Sequence, residues 1–135
     1  MRVVLDVNVL LSAVLSPEGA PARILVAWLN GAFELVVSPK LMNELERVLA
    51  YPKISRRIAD DDAQRFVRMV ATQAHLVPDP DDDPPVRSPD PGDDYLIALA
   101  AHADALLVSG DAHLVSILGE GPIQTPRQFA DSLGL

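Results

Sequence analysis

The feature that most constrains the fold is a series of short, almost continuously apolar runs separated by longer segments with helical character. The runs are rich in valine and leucine, and strands that are buried on both faces show such runs instead of alternation. We therefore predict parallel strands that are covered by helices on both faces. These strands span residues 3–6, 34–37, 75–77 and 105–109, and residues 123–124 are a candidate for a short fifth strand at an edge.

The intervening segments carry helix signals. Ser38 followed by Pro39 combines an N-cap with a proline at the first helical position, and Thr125 and Gln128 have the spacing of a capping box. The predicted helices cover residues 9–15, 22–30, 40–50, 63–73, 93–103 and 111–118, and a last one starts at Thr125. Strands that alternate with helices predict an α/β fold, with one domain over residues 1–135 and a central parallel sheet of four or five strands in three α/β/α layers.

Composition narrows the class of protein. The chain has 135 residues, no cysteine and a net charge of −8. Disulfides and thiolate metal sites are therefore excluded, and we expect a protein of the reducing cytoplasm. Because no apolar run reaches the length of a membrane span, we expect no membrane association. The negative charge argues against a broad cationic surface for nucleic acid, although it is compatible with an enzyme whose carboxylates bind a metal ion.

Residues 78–92, "PDPDDDPPVRSPDPG", form the most biased stretch of the chain. The prolines prevent regular structure, and the aspartates favour water. We therefore predict an exposed acidic loop that precedes the buried helix at 93–103.

Acidic side chains recur where the predicted strands end. Asp6 closes the first strand inside the run "VVLDVNVLLSA", and Asp111 follows the strand at 105–109. Asp93 and Asp94 begin the helix before that strand, and Glu44 lies about one and a half turns into the helix after the second strand. Ligands of parallel α/β sheets bind outside the carboxyl ends of the strands, so these acids are expected at one edge.

Each of these acids also has an ordinary structural explanation as a helix cap or as part of a solvated helix face. Asp6 is the exception, because its apolar neighbours predict burial and an unpaired buried carboxylate is costly. Several carboxylates at one site repel one another by about 1–4 kcal/mol for each close pair. A hard divalent cation such as Mg²⁺ or Mn²⁺ would offset that repulsion.

At these residues the sequence resembles the PIN-domain family, in particular the small VapC-like toxins of toxin–antitoxin systems. Four segments carry the resemblance in family order and together span nearly the whole chain. They are "VVLDVNVLLSA", "VSPKLMNELERVL", "DPGDDYLIALAAHADA" and "LLVSGDAHLV". The resemblance implies a twisted parallel sheet flanked by helices and hydrolysis of RNA phosphodiester bonds with Mg²⁺ or Mn²⁺.

The resemblance also implies a site. The family's acidic quartet, catalytic and metal-binding, falls on Asp6, Glu44, Asp94 and Asp111, with Asn8 and Ser109 in support. Asp94 is preferred because it directly precedes the apolar helix, and Asp93 is a supporting residue or an alternative ligand. This hypothesis requires Asp6, Asp94 and Asp111 to converge on one ion. Of the histidines, only His113 is near a predicted site residue. The candidates for contacts with the RNA backbone are Lys40, Arg47, Lys53, Arg56 and Arg57.

The expected partners are RNA, an antitoxin protein and a second copy of the chain in a homodimer. Two alternatives stay open at this stage. One is a non-catalytic binding module with the same fold. The other is a receiver-like domain that transfers phosphoryl groups to an aspartate, but such a domain would use a lysine on a late strand, and no lysine follows Lys53.

Overall fold

A five-stranded sheet forms the centre of the computed structural model, which describes residues 1–81, 83–117 and 123–135. Every pair of neighbouring strands is parallel. The strands are β1 (Arg2–Leu5), β2 (Glu34–Val37), β3 (His75–Leu76), β4 (Leu106–Val108) and β5 (Ile123–Gln124), in the order β3-β2-β1-β4-β5. The predicted α/β class, with a parallel sheet and a short edge strand at 123–124, is therefore confirmed.

Helices flank this sheet and lie close to the predicted positions. They are α1 (Val7–Leu15), α2 (Ala20–Leu29), α3 (Pro39–Leu49), α4 (Pro52–Ser55), α5 (Asp60–Gln73), α6 (Asp94–His102), α7 (Ala112–Val115) and α8 (Pro126–Ser132). The sequence analysis did not predict α4, which is a single turn opened by a proline. The predicted end of the helix at 111–118 lies outside the described residues, as does Asp82 of the acidic loop.

Local capping explains where two of these helices begin. The Ser38 side chain accepts a hydrogen bond from the Leu41 backbone N–H, so α3 starts directly after β2. Thr125 and Gln128 form the predicted capping box at the start of α8. Both helices also carry a proline in their first turn, where the missing N–H is not needed.

The core lies on both faces of the sheet. Val3, Val4 and Leu5 of β1 are buried on alternating faces, which is what a strand covered on both sides requires. Helix α6 is buried along most of its length and packs on β1 and β4, whereas α3 buries one face and leaves the other exposed. The acids at the start of α6 are thereby held beside the ends of the two central strands.

The chain changes direction across the sheet between β1 and β4. Strands β1, β2 and β3 follow one another towards one edge, and the chain then returns past β1 to place β4 on its other side. The carboxyl ends of β1 and β4 therefore form a topological switch point, which is where open parallel sheets bind ligands.

Within the described parts of the chain, none of the helices taken singly has the length and apolarity to cross a membrane. Helices α1 and α2 meet those criteria only as a pair, and they are bent by 98° relative to each other.

Candidate active site

A buried hydrogen-bond network occupies the switch point. The Ser109 hydroxyl, at the end of β4, donates to Asp6 Oδ2 at the end of β1 over 2.6 Å. The same hydroxyl accepts a hydrogen bond from the Asp111 backbone N–H at 3.0 Å. Asp6 is only 5% exposed and Ser109 is fully buried. Two residues that are 103 positions apart in the chain are therefore joined directly, and Asp111 is held beside them.

Both aspartates of this network also cap helices, as the ordinary structural explanation proposed. Asp6 accepts from the Asn8 N–H at 3.3 Å at the start of α1, and Asp111 accepts from the His113 N–H at 2.8 Å at the start of α7. Each cap occupies one carboxylate oxygen. Capping alone does not explain why Asp6 is buried next to a second acid, because a serine or asparagine would cap without a charge.

The surroundings of Asp6 raise its pKa. Burial raises its pKa above the ordinary value, the Ser109 and Asn8 hydrogen bonds oppose that effect, and the negative charge of Asp111 raises the pKa again. A cation near the two carboxylates would favour the ionised form of both.

Asp93 belongs to the same group of acids. Burial raises its pKa to about 6, and the charges of Asp111, Asp6 and Asp90 act in the same direction. Its Oδ2 atom is buried and has no hydrogen-bond partner among the described residues. Asp93 therefore offers an unpartnered carboxylate oxygen beside Asp6 and Asp111.

Asp94, by contrast, is turned away from this group. Its Oδ1 accepts from the Ser88 backbone N–H at 2.8 Å, and its Oδ2 accepts from Arg87 at 3.2 Å. Of the three acids expected to converge on one ion, Asp6 and Asp111 are linked through the Ser109 hydroxyl, whereas Asp94 is not part of this network. Asp94 ties the acidic loop to α6, whereas Asp93 lines a cavity together with Asp6, so the structure places the alternative ligand Asp93 nearer to Asp6 than the preferred Asp94.

A cavity of about 410 Å³ opens beside Asp6 and Asp93. Glu44 and Asn8 also line it, so three elements that are distant in sequence contribute predicted site residues. Asp111 is not among its lining residues, and its backbone N–H donates to the Ser109 hydroxyl. The cavity is lined by Asp6, Val7, Asn8, Lys40, Glu44, Arg47, Val48, Asp90, Gly92, Asp93, Tyr95 and Leu96.

Glu44 is already paired within this cavity. Arg47, one turn further along α3, donates to both carboxylate oxygens of Glu44, with an Nε–Oε2 distance of 3.1 Å. Arg47 also donates to the Tyr51 hydroxyl and lies over the Tyr51 ring. The ion pair raises the pKa of Arg47 above its ordinary value.

Tyr95 and Asp79 take part in the site, although sequence reasoning missed both. The Tyr95 ring lines the cavity, and the Lys40 ammonium lies 4.8 Å from its centroid. Burial and the nearby charges of Asp6, Glu44 and Asp93 raise the pKa of the Tyr95 hydroxyl. Asp79 accepts a hydrogen bond from the Lys40 backbone N–H at 3.0 Å and so fastens the acidic loop to α3. Tyr95 could have been found from the sequence, because it directly follows Asp93 and Asp94 at the start of a buried helix.

The remaining candidates lie elsewhere. Lys53, Arg56 and Arg57 are exposed on and after α4, and they do not line the cavity, whereas Lys40 and Arg47 do. His75 and His102 are exposed and outside it as well. His113 is exposed near Asp111, and its charge lowers the pKa of Asp93.

The acids fit a hard divalent cation in chemistry, but they do not form a complete ligand shell. Among residues 1–81, 83–117 and 123–135, no three acidic or histidine side chains are arranged closely enough to hold a metal ion. The fit rests on the unpartnered Oδ2 of Asp93 and on the mutual repulsion of Asp6, Asp93 and Asp111. Mg²⁺ keeps several of its waters when few carboxylates bind it, so an incomplete oxygen shell is compatible with it.

The comparison with family models decides the affiliation of the chain. The model of a PIN domain matches residues 2–113, which include every acid of the site. The chain belongs to the PIN-domain family. Members of this family are generally nucleases that use divalent metals, so membership indicates a nuclease-type function. A comparison with curated proteins finds no match.

Membership favours the nuclease interpretation over the receiver-like one. In this PIN domain, Asp6 is buried and accepts a hydrogen bond from Ser109, so it lacks the exposure expected of an aspartate that accepts a phosphoryl group. No lysine from a late strand faces it, because the only lysines are Lys40 and Lys53.

The stability of the metal-free PIN domain should depend on pH through Asp93. Because its pKa rises from 3.8 to about 6 on folding, its contribution to stability is complete below 3.8 and is lost as the pH rises through 6. We expect the melting temperature of wild type in EDTA to fall over this range relative to that of Asp93→Asn. Circular dichroism melts at a series of pH values measure this difference, and parallel curves for the two proteins would contradict the assignment.

Proposed function

We propose that this PIN domain is a divalent-metal-dependent endoribonuclease. The observation that carries the proposal is the meeting of Asp6 and Asp93 at one cavity at the switch point of the sheet, with Asp111 linked to Asp6 through Ser109. Carboxylates that repel one another beside an open cavity lower the stability of the fold, and carboxylate oxygens are the ligands that hard cations prefer.

The ligands are assigned from this arrangement. Asp6 and Asp93 would hold the cation, Asp111 would bind it directly or through water, and Glu44 would join them once it is free of Arg47. When bound, Mg²⁺ or Mn²⁺ polarises a phosphate and lowers the pKa of a coordinated water. Ser109 orients Asp6, since its hydroxyl donates to Oδ2, and this hydrogen bond opposes the rise in the Asp6 pKa that burial causes.

RNA is proposed as the substrate, and its backbone would enter over α3. Lys40 and Arg47 are the two cations that line the cavity, and both lie on α3 together with Glu44. If Lys40 and Arg47 bind one phosphate of the backbone, the next phosphodiester would lie near Asp6 and Asp93. Lys53, Arg56 and Arg57 lie outside the cavity, so they are proposed only as contacts with more distant phosphates, which position the strand without reading its sequence.

The resemblance to VapC-like toxins supports a finer proposal, in which the protein is the toxin of a toxin–antitoxin pair in the cytoplasm. An antitoxin segment would cover the acidic cavity with basic or aromatic side chains, for which the anionic surface is complementary. A homodimer is also proposed from this resemblance.

Cleavage of single-stranded RNA should require the metal ion. We expect cleavage by wild type with Mn²⁺, loss of cleavage in EDTA and recovery when Mn²⁺ is restored, because the acids cannot activate water without a cation. Gel analysis of a labelled RNA measures this, and Mn²⁺ should also raise the melting temperature of wild type by binding the folded state. The Asp6→Asn protein is the negative control.

The same assay separates the nuclease from the alternative of a non-catalytic binding module. Equal cleavage by wild type and Asp6→Asn, or no cleavage by either with Mn²⁺ or Mg²⁺, would overturn the catalytic proposal.

A further inference from the structure

An ion pair between Glu44 and Arg47, both on α3, lies at the wall of the cavity. Both side chains line it, and the guanidinium donates to both oxygens of the carboxylate. Glu44 therefore has no oxygen free of Arg47 while this pair is formed. The Tyr51 hydroxyl and ring hold the other side of the guanidinium, which fixes Arg47 in this orientation.

The Glu44–Arg47 pair is partly exposed to solvent, so either side chain can exchange its partner for a ligand. The Arg47 side chain is 57% exposed and that of Glu44 is 34% exposed. Exposed ion pairs within one helix are weak, so a competing ligand can open this one. An RNA phosphate suits the planar fork of Arg47 at least as well as a carboxylate does. A divalent cation suits Glu44 in the same way.

We propose that Arg47 is a positioning residue that withholds Glu44 from the metal site until an RNA phosphate replaces Glu44 as the partner of the Arg47 guanidinium. In the free protein, Arg47 neutralises Glu44. When a backbone phosphate binds the guanidinium, Glu44 is released towards Asp6 and Asp93, so RNA and metal ion bind with positive coupling. This inference rests on the proposed function, and it names Arg47 as the residue through which substrate completes the ligand set.

The coupling has a thermodynamic consequence for each ligand alone. Removing Arg47 should free Glu44 and tighten metal binding, and removing the charge of Glu44 should free Arg47 and tighten RNA binding. Because each ligand must open the same ion pair, both effects are expected in the same set of variants. Each effect should be about two- to fivefold in affinity, since an exposed pair is weak.

The test is a double-mutant cycle with wild type, Arg47→Ala, Glu44→Gln and the double variant. Mn²⁺ affinity is measured by calorimetry without RNA, and the affinity for a short labelled single-stranded RNA is measured by fluorescence anisotropy in EDTA, where cleavage does not occur. Arg47→Ala should tighten Mn²⁺ binding in the wild-type background and much less in the Glu44→Gln background. Glu44→Gln should tighten RNA binding only when Arg47 is present.

This design separates release of a partner from simple charge. Removing the charge of Arg47 changes the electrostatic potential at Asp6 and Asp93 equally in the wild-type and Glu44→Gln backgrounds. Only the difference in Mn²⁺ affinity change between these backgrounds therefore reports on Glu44. Arg65→Ala is the matched control, because Arg65 forms an exposed pair with Asp62 at the same spacing on α5 and lines no part of this cavity. It should leave Mn²⁺ affinity unchanged. The Arg47→Lys variant keeps the charge but not the fork, and it should tighten Mn²⁺ binding partially.

The outcomes distinguish this inference from the proposed function. If wild type binds Mn²⁺ and Arg47→Ala changes the affinity equally in both backgrounds, or not at all, the positioning role is overturned while the nuclease proposal stands. If neither wild type nor any variant binds Mn²⁺, the metal-dependent function is overturned together with this inference.

Discussion

Asp93→Asn is expected to lower the rate of Mn²⁺-dependent RNA cleavage by about a hundredfold or more, to the level of Asp6→Asn. Residues that only support a metal ligand typically contribute ten- to a hundredfold, so a direct ligand should reach at least the upper end. The physical reason is the position of Asp93, whose buried Oδ2 has no partner among the described residues and faces the charges of Asp6 and Asp111. Cleavage is measured at saturating Mn²⁺ with equal amounts of folded protein.

The neighbouring Asp94→Asn variant is the matched comparison, since it makes the same chemical change one residue away. Its activity should stay within about threefold of wild type, because the lost ion pair with the exposed Arg87 side chain contributes little. The amide oxygen of asparagine can still accept from the Ser88 N–H, so the acidic loop should remain attached to α6. The reverse result, with Asp94→Asn inactive and Asp93→Asn active, would restore Asp94 as the ligand.

Ser109→Ala is expected to lower both stability and activity and to shift the pH profile of cleavage. The substitution removes the hydroxyl that donates to Asp6 Oδ2 and accepts from the Asp111 N–H, and both partners are held in a buried setting. Leaving buried polar groups unpaired costs about 1–3 kcal/mol of folding free energy. Because the Ser109 hydrogen bond lowers the pKa of Asp6, its loss should raise that pKa further. Cleavage should fall about ten- to a hundredfold, and the acidic limb of its pH profile should move to higher pH.

Ser38→Ala controls for the loss of a buried hydroxyl after a strand. Ser38 is fully buried at the end of β2, and its side chain caps α3 by accepting from the Leu41 N–H. Losing this cap should cost about 1 kcal/mol of stability without moving the pH profile. Urea unfolding and cleavage rates over a pH series separate the two variants. If Ser109→Ala had the pH profile of wild type, Ser109 would have only a structural role.

The sheet and most of its flanking helices could be predicted from local pattern alone. Short continuous apolar runs require burial on both faces, and burial on both faces requires parallel strands with helices between them. Strand ends, capping residues and prolines then set the boundaries, as at Ser38 and Thr125. Helix α4 was missed because it is a single turn, too short for any periodicity to appear.

The site could be predicted only in part. Asp6 and Asp111 follow from a general rule, because parallel strands bring their carboxyl ends to one edge and β1 and β4 are adjacent. Ser109 was implied only by the resemblance to the PIN-domain family. The contact of Asp79 with Lys40 spans 39 residues and has no local signal. The pairing of Glu44 with Arg47 has the spacing of a helical ion pair, but the sequence does not show that both residues face the same cavity as Asp6.

The sequence by itself determined that acids from the end of β1, the start of α6 and the end of β4 meet at one edge of a parallel sheet. The apolar runs show where each strand ends, and parallel strands have their carboxyl ends at the same edge. Only the tertiary structure decided which of two adjacent aspartates faces the cavity. Successive residues at a helix start point in directions about 100° apart. The 3₁₀ turn Pro91–Asp93 sets the phase of that start, and the Ser88 and Arg87 contacts of the acidic loop occupy Asp94 and leave Asp93 beside Asp6.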